Sequence, residues 1–532
     1  MKKLIIIITA FLLLSPVVAT AENLGENRVF FVDSSYDLAK RTSIRAVLLK
    51  VSSKAYFYVD QEWWGFTPQN EVYAALSSLG DAFDSKIYPT LTANYGSEWN
   101  PGIDKDSRIT VLIHPMTKGA GGYFRSNDEY TKLQVPGSNE REMVYLSSEI
   151  SGNTNAASFL AHEFTHLITF NQKNKIYGAE EDTWLNEARA EYAPTLLGYD
   201  NNFSGSYLQN RVQLFSDEPF DPIAEWTGNR SDYGAVNLLT QYLVDYYGKE
   251  ILIDSLRSAK VGIDSVNYAL NKKGASKNFS QIFVDWTIAV LVNDCNFGAN
   301  YCYLNSNLKN LHVYPKINFL PLSGKSVLSV TETTKDWAGN WFKVIGGKGN
   351  INFSFVSNSG SDFIIPYVIQ KSNGGYSVNF LSLAKSKGEI NISNFGTENL
   401  ALIILPISQV RTSDFGENEP IRSFTFTVSA SGVSTDPAPE NKIIPTGFSF
   451  SNNLAIGSRT QDVVYLKLIL AEQGCVSNLG NTNYFGVQTL AGVRCLQNKY
   501  KSQISQTAGY QISSTGFVGV GTRTQLNALL NK

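Results

Sequence analysis

Ala161-His162-Glu163-Phe164-Thr165-His166-Leu167 is the stretch from which the rest of the chain can be read. It places H-E-x-x-H inside an apolar run with helical spacing. Two residues four apart on an α-helix differ by about 40° of rotation, so both imidazoles leave one face. Neutral imidazole is a common zinc ligand, and one turn of spacing lets two rings meet one ion. The glutamate between them then stands where a base toward an ion-activated water is needed. The chain holds only four histidines, and two of them sit here. The competing reading is a pair of solvated histidines on a helix surface.

Working outward, Thr183-Trp-Leu-Asn-Glu187-Ala-Arg-Ala-Glu191-Tyr192 reads as a second helix after a polar connection, Asn171 to Asp182. Glu187 and Glu191 are four apart and share a face. A zinc site of two histidines needs a third protein ligand from elsewhere, and a carboxylate is a normal choice. Solvated surface charge is the alternative for both glutamates.

These two motifs together resemble the glutamate-zincin metallopeptidases, thermolysin-like in their site. The wider segments are similar to the hyicolysin-type secreted bacterial zinc peptidases. They are Gly121-Gly-Tyr-Phe124, Glu142-Met-Val-Tyr-Leu146, Trp184-Leu-Asn-Glu187 through Tyr192, and Phe283-Val-Asp-Trp-Thr287, and the likeness spans residues 30–300. The resemblance implies an α+β zincin-like domain with Zn2+ held by His162, His166 and Glu187. It also implies Glu163 as general base and Glu191 as the partner behind a ligand histidine. Glu191 departs from the thermolysin pattern, which usually has aspartate there. Tyr233, in Ser231-Asp-Tyr-Gly-Ala235 before an expected helix from Val236 to Tyr247, resembles the tyrosine-glycine segment that donates to the oxyanion in several such enzymes. Its offset from the glycine differs, and with 27 tyrosines in the chain a packing role competes. Tyr177 is a weaker competitor for the same role.

The N-terminal side of this motif reads as strands and one long helix. Short runs of Val, Phe and Tyr from Glu22 to Val59 suggest strands, and Gln69 to Tyr95 has helical spacing. Ile109–Ile113 and Met143–Ser147 read as buried strands. Tyr123-Phe124-Arg125 reads as an edge strand over the cleft, to which an extended substrate can add by main-chain hydrogen bonds. Asp104-Lys105-Asp106 has a fragment of a calcium loop, so Ca2+ enters only as an unsupported option, and a polar turn is the preferred reading. His114 and His312 have no ligand-like spacing and are read as structural or surface residues.

Composition bounds the rest. At 532 residues the chain is too long for one compact domain. A net charge of -2 excludes a phosphate-neutralising surface, so no nucleic-acid partner is expected. Met1-Lys-Lys3, the apolar run Leu4–Leu14 and Ala19-Thr-Ala21 form a signal peptide over residues 1–21, cleaved before Glu22. No later run is long enough to span a bilayer, so the mature chain is read as secreted, without a transmembrane segment. Export permits disulfides, and sequence proximity favours Cys295–Cys302 and Cys475–Cys495 among the three pairings that four cysteines allow.

After the peptidase domain (22–312), residues 313–431 carry short Val/Ile/Phe/Thr runs with Gly and Asn turns, a β-sandwich pattern with no chemistry of its own. Residues 432–447, with Asp436-Pro-Ala-Pro439, read as a linker. Residues 448–532 resemble the small all-α peptidoglycan-binding-like module of exported bacterial enzymes. The matching positions are Asp462-Val463, Leu466, Leu470, Gly474, Phe485-Gly486, Thr489, Val493, Gln497, Thr515-Gly-Phe-Val-Gly519 and Thr522. Lys467, Gly492 and Leu496 depart from its usual residues, and three short helices are expected. The resemblance implies cell-wall glycan or peptidoglycan as partner. The expectation is a wall-associated zinc endopeptidase acting on protein or peptide substrates. Its rivals are a hydrolase of peptidoglycan crosslinks and a non-catalytic wall-binding protein.

Overall fold

The computed structural model describes residues 22–150, 152–322, 324–416, 418–431, 444–476, 482–509 and 511–530. The expected signal peptide, and the expected linker as far as residue 443, lie outside the described residues. The chain forms two compact units. One comprises the described parts of Met1–Phe283, Leu304–Asn310 and Ser413–Glu417; the other, those of Val284–Tyr303, Leu311–Thr412 and Asn418–Lys532. The protein is multidomain, with mixed α and β content.

In the first unit, strands β1 (Asn27–Phe31), β2 (Ser43–Val51), β3 (Ala55–Asp60), β4 (Ile109–His114), β5 (Gly122–Phe124) and β6 (Met143–Ser147) form one sheet, ordered β1-β2-β3-β4-β6-β5. The sequences of β3, β4 and β6 are near-continuous apolar runs without alternation, and every residue in them is buried. Such runs suit parallel strands covered on both faces, and these three pair in parallel. β5 pairs antiparallel with β6, Tyr123 opposite Tyr145, and ends the sheet.

The helices are α1 (Gln61–Gly65), α2 (Gln69–Ala82), α3 (Tyr88–Tyr95), α4 (Ala156–Thr169), α5 (Thr183–Leu196), α6 (Tyr207–Asp217), α7 (Arg230–Tyr247), α8 (Glu250–Leu256), α9 (Gly262–Lys273) and the first residues of α10 (Phe279–Val292), which from Val284 on belongs to the second unit. The helical spacing of Gln69 to Tyr95 is realised as α2 and α3 joined by one wide turn, Phe83–Ile87. α4, which carries the histidines, is apolar nearly all round and accordingly buried all round: Leu160, Phe164, Leu167 and Ile168 are inaccessible. Phe164 packs edge-on against Phe83 and stacks on Tyr88.

Two boundaries differ from the sequence reading. The polar connection after α4 begins as a further wide turn, Phe170–Lys175. Buried Lys173 makes this affordable, donating to the carbonyls of Ser255 (2.8 Å) and Ser258 (3.0 Å). α7 begins at Arg230 rather than Val236 because Asn229 and Asp232 form a reciprocal capping box. Tyr233 therefore lies inside the helix, not ahead of it.

In the second unit, the strands expected between residues 313 and 430 are present and join in one hydrogen-bonded network of ten. Gly349–Ser357 pairs antiparallel with Lys387–Phe395 on one side and Arg422–Ala430 on the other. Alternate residues, Ile351, Phe353 and Phe355, enter a core with Phe342, Phe424 and Phe426. Among the described residues the C-terminal segment has four helices rather than three: α11 (Gln461–Glu472), α12 (Val487–Lys499), α13 (Lys501–Ala508) and α14 (Val520–Leu530). Tyr500, at φ -113°, leaves helical geometry and divides α12 from α13. Leu466, Leu470, Phe485, Val493, Leu496 and Val518 form its core. Lys467 is buried and donates to the Thr482 carbonyl and hydroxyl, both at 2.8 Å. Cys295 is bonded to Cys302 and Cys475 to Cys495. Among the described residues no helix is long and apolar enough to cross a membrane.

Candidate metal centre

α4 and α5 pack side by side, which brings the two motifs together. His162 Nε2 lies 3.1 Å from His166 Nε2 and 3.2 Å from Glu187 Oε2, and His166 Nε2 lies 3.6 Å from the same oxygen. Among the described residues this is the group of three such donors whose atoms fall within 4.8 Å of one another. Tetrahedral ligands about 2.0–2.1 Å from one zinc ion stand roughly 3.3 Å apart, so the triangle matches one face of a zinc site.

The hydrogen bonds on the far side of each ring say what fills that triangle. His166 Nδ1 faces Asn186 Oδ1 at 3.1 Å, an acceptor, so the proton sits on Nδ1 and Nε2 presents a lone pair. His162 Nδ1 faces the Tyr207 hydroxyl (3.1 Å) and Glu191 Oε1 (3.4 Å), and the Tyr207 hydrogen is already given to Glu191 Oε1 at 2.6 Å. The His162 proton is therefore also on Nδ1. Two lone pairs and a carboxylate oxygen converge on one point. Glu187 Oε2 is buried without a hydrogen-bond donor. A cation satisfies all three, and two imidazoles with one carboxylate are a zinc donor set. The local electrostatics agree. Burial opposes ionisation of Glu187, yet the imidazoles hold its carboxyl far below the usual range. Burial alone would lower His166, but Glu187 and Glu163 push it up to about 9, so a proton competes with a metal ion for its Nε2. The site attracts positive charge.

Glu163 shares α4 with both histidines but stands outside the triangle, 4% exposed. Burial raises its carboxyl, partly offset by His162 and His166. β5 closes over it: a Cβ on Gly122 would fall 2.9 Å from Glu163 Oε1, so the strand approaches this carboxylate only as glycine. Tyr233 is raised above its ordinary value, first by burial and then by Glu187. Its ring packs edge-on against Trp226 and lies 6.4 Å from the His162 ring. Tyr123 and Phe124 lie in the end strand, with Tyr123 stacked on Tyr145 at 4.2 Å. Tyr177 is exposed, and His114 is buried between Asp37 (3.2 Å) and the Tyr123 hydroxyl (3.3 Å).

Sequence reasoning missed five participants. Tyr207 and Arg211 on α6, with Asn237 on α7, surround Glu191: Arg211 donates from Nε at 2.7 Å and Nη2 at 2.8 Å, and Asn237 from Nδ2 at 3.0 Å. Asn186 was inside the quoted motif, and its place beside Glu187 was the available signal. Tyr36, in the loop after β1, stacks on Tyr123 at 4.5 Å, and its phenol is raised by burial and then by Glu163 and Glu187, which puts it in the same cleft. A recess of about 230 Å³ beside β5 is lined by Gly121, Leu146, Ile150, Ala156 and Phe159 among others.

No family model matches the sequence, and no curated protein matches it. Among solved structures, the M60 catalytic domain of ZmpC from Clostridium perfringens, in complex with the sialyl T antigen, is 14% identical over 71% of this chain and 69% of that one, with a TM-score of 0.26. The ZmpB metallopeptidase of Clostridium perfringens is 14% identical over 71% and 70%, at 0.24. The pre-peptidase C-terminal domain of a collagenase from Bacillus anthracis is 10% identical over 22% of this chain and 96% of that one, at 0.16. The functional reading rests on the site's own geometry.

Proposed function

We propose that this chain is an exported zinc-dependent endopeptidase, retained at the cell wall by its C-terminal module. The observation that carries the reading is the convergence of two imidazole lone pairs and Glu187 Oε2 beside a buried carboxylate that takes no part in the triangle. His162, His166 and Glu187 would hold the ion. When bound, zinc supplies Lewis acidity toward a peptide carbonyl and lowers the pKa of a water toward neutrality. Glu163 takes the proton of the attacking water and returns it to the leaving amine, a role its burial suits by raising its basicity. Glu191, held by Tyr207, Arg211 and Asn237, orients His162, while Asn186 orients His166. The outward edge of β5 offers main-chain groups to an extended peptide, with the recess beside it open to a side chain.

Casein cleavage by the mature protein, abolished by 1,10-phenanthroline and restored by zinc, is the expected result. Chelator-resistant cleavage overturns the reading. The signal pattern before Glu22 supports export, and the C-terminal resemblance supports binding to isolated sacculi, which co-sedimentation measures directly.

Tyr233 is assigned as donor to the developing oxyanion. Tyr233→Phe is expected to lower kcat roughly a hundred-fold with little change in KM, as for loss of one oxyanion donor. Should Tyr233→Phe keep full kcat while Tyr36→Phe loses it, the donor is Tyr36.

A further inference from the structure

Three segments of the first unit meet away from the zinc triangle. The loop after α3 donates the Ile103 N–H to Glu142 Oε1 at 2.8 Å. The turn Ser126–Glu129 accepts the Arg141 N–H at the Asp128 carbonyl, 2.9 Å. Glu129 and Glu142 each follow directly on that paired couple. Both are buried, 1% and 3% exposed, and Glu129 Oε1 and Glu142 Oε2 have no hydrogen-bond donor. The loop reaches Glu142 only because residue 102 is glycine, at φ +78°: a Cβ there would fall 1.7 Å from Oε2.

The neighbouring cations offset these oxygens only in part: the Lys175 charge lowers both carboxyls but donates to neither orphaned oxygen. Arg141 is committed to Glu22 and Thr110. Lys175 donates to the Glu129 carbonyl at 2.9 Å and lies 3.7 Å over the Trp99 ring. Burial raises both carboxyls; the Glu142 and Asp104 charges raise Glu129 further and the Asp104 charge raises Glu142, to about 7, against the opposing charge of Lys175. Asp104 itself spends Oδ1 on the Asp106 N–H, the polar turn expected from the sequence.

We propose that Glu129 Oε1 and Glu142 Oε2 are two ligands of a calcium ion that ties the Gly102 loop to the start of β6. Carboxylate oxygens with no nitrogen or sulfur donor suit a hard cation, and calcium accepts the irregular geometry that magnesium does not. No third carboxylate among the described residues completes a 4.8 Å group here, so main-chain oxygens and water fill the remaining positions. Lys175 closes the wide turn that extends α4, which links the site through the Glu129 carbonyl to the helix bearing His162 and His166.

The test uses the mature protein, stripped of metal and reloaded with one equivalent of zinc, titrated with calcium chloride by calorimetry and followed by thermal unfolding. Expected are one calcium per chain and an unfolding midpoint that rises with calcium. Glu129→Gln and Glu142→Gln, made separately, should each abolish the calcium-dependent shift while zinc stoichiometry stays at one. Terbium should bind in calcium's place and glow on tryptophan excitation, dimming in Trp99→Phe. No heat and no shift up to about 10 mM calcium, beyond the weak end of protein calcium sites, overturns the proposal. So does a calcium response that survives in both variants, which places the ion elsewhere. Variants that are stabilised regardless of calcium would identify a proton-sharing pair instead.

Discussion

Glu163→Gln is expected to retain one zinc per chain and to lose roughly a hundred- to ten-thousand-fold in kcat, the usual contribution of a positioned general base. The substitution replaces one carboxylate oxygen with an amide of nearly the same volume, in a side chain that is 4% exposed on a helix buried on every face. The fold therefore has no cavity to absorb. The three donors of the triangle remain, and both imidazoles are still held from behind: His166 by Asn186, His162 by Tyr207 and Glu191. What disappears is a group able to accept a proton, because an amide oxygen is far less basic than a carboxylate whose basicity burial has raised. Metal content by atomic emission and turnover on a quenched-fluorescence peptide separate the two effects. Full turnover with zinc bound removes Glu163 from the role of base. Loss of zinc together with turnover would instead show that Glu163 supports the ligands.

Arg211→Met is expected to destabilise the protein by about 3–5 kcal/mol, the range for breaking one side of a buried ion pair. Glu191 is fully buried and takes three donors in addition to its contact with His162; two bonds come from Arg211. Methionine keeps much of the volume but strands the carboxylate beside a ligand imidazole, leaving the Tyr207 hydroxyl and Asn237 as its remaining donors. Zinc affinity should fall about 10–100-fold as well, since the group that orients His162 is no longer fixed. Urea unfolding at constant zinc, with competition against a chromophoric chelator, reads both quantities. Arg211→Met with Glu191→Leu should recover much of the stability, because no charge is left unpaired. A single variant that loses under about 1 kcal/mol would show that the Arg211–Glu191 pair does not hold this part of the fold.

Two local pairs of candidate residues were legible in the sequence, while their meeting across α4 and α5 was not. His162 with His166, and Glu187 with Glu191, sit one helical turn apart, and helix geometry alone orients each pair. The all-buried strands β3, β4 and β6 were legible for a similar reason: an uninterrupted apolar run survives only where both faces are covered. Helix boundaries were harder. The start of α7 turns on a reciprocal hydrogen bond between Asn229 and Asp232, and the turn after α4 on a lysine whose carbonyl partners lie beyond residue 250.

The sequence by itself determined the candidate ligand types, their spacing and the carboxylate between the two histidines. Which groups hold Glu191 in place behind His162 was decided only by tertiary structure. Tyr207, Arg211 and Asn237 reach Glu191 because α6 and α7 pack against α5, and nothing in their local spacing announces it. Glu129 and Glu142 become neighbours through one main-chain hydrogen bond, Arg141 to Asp128. Tyr36 enters the cleft on a loop stacked over Tyr123. The physical reason is common to all three. A periodic pattern records how a segment faces its own axis, whereas a hydrogen bond between distant segments depends on where several packed surfaces bring them.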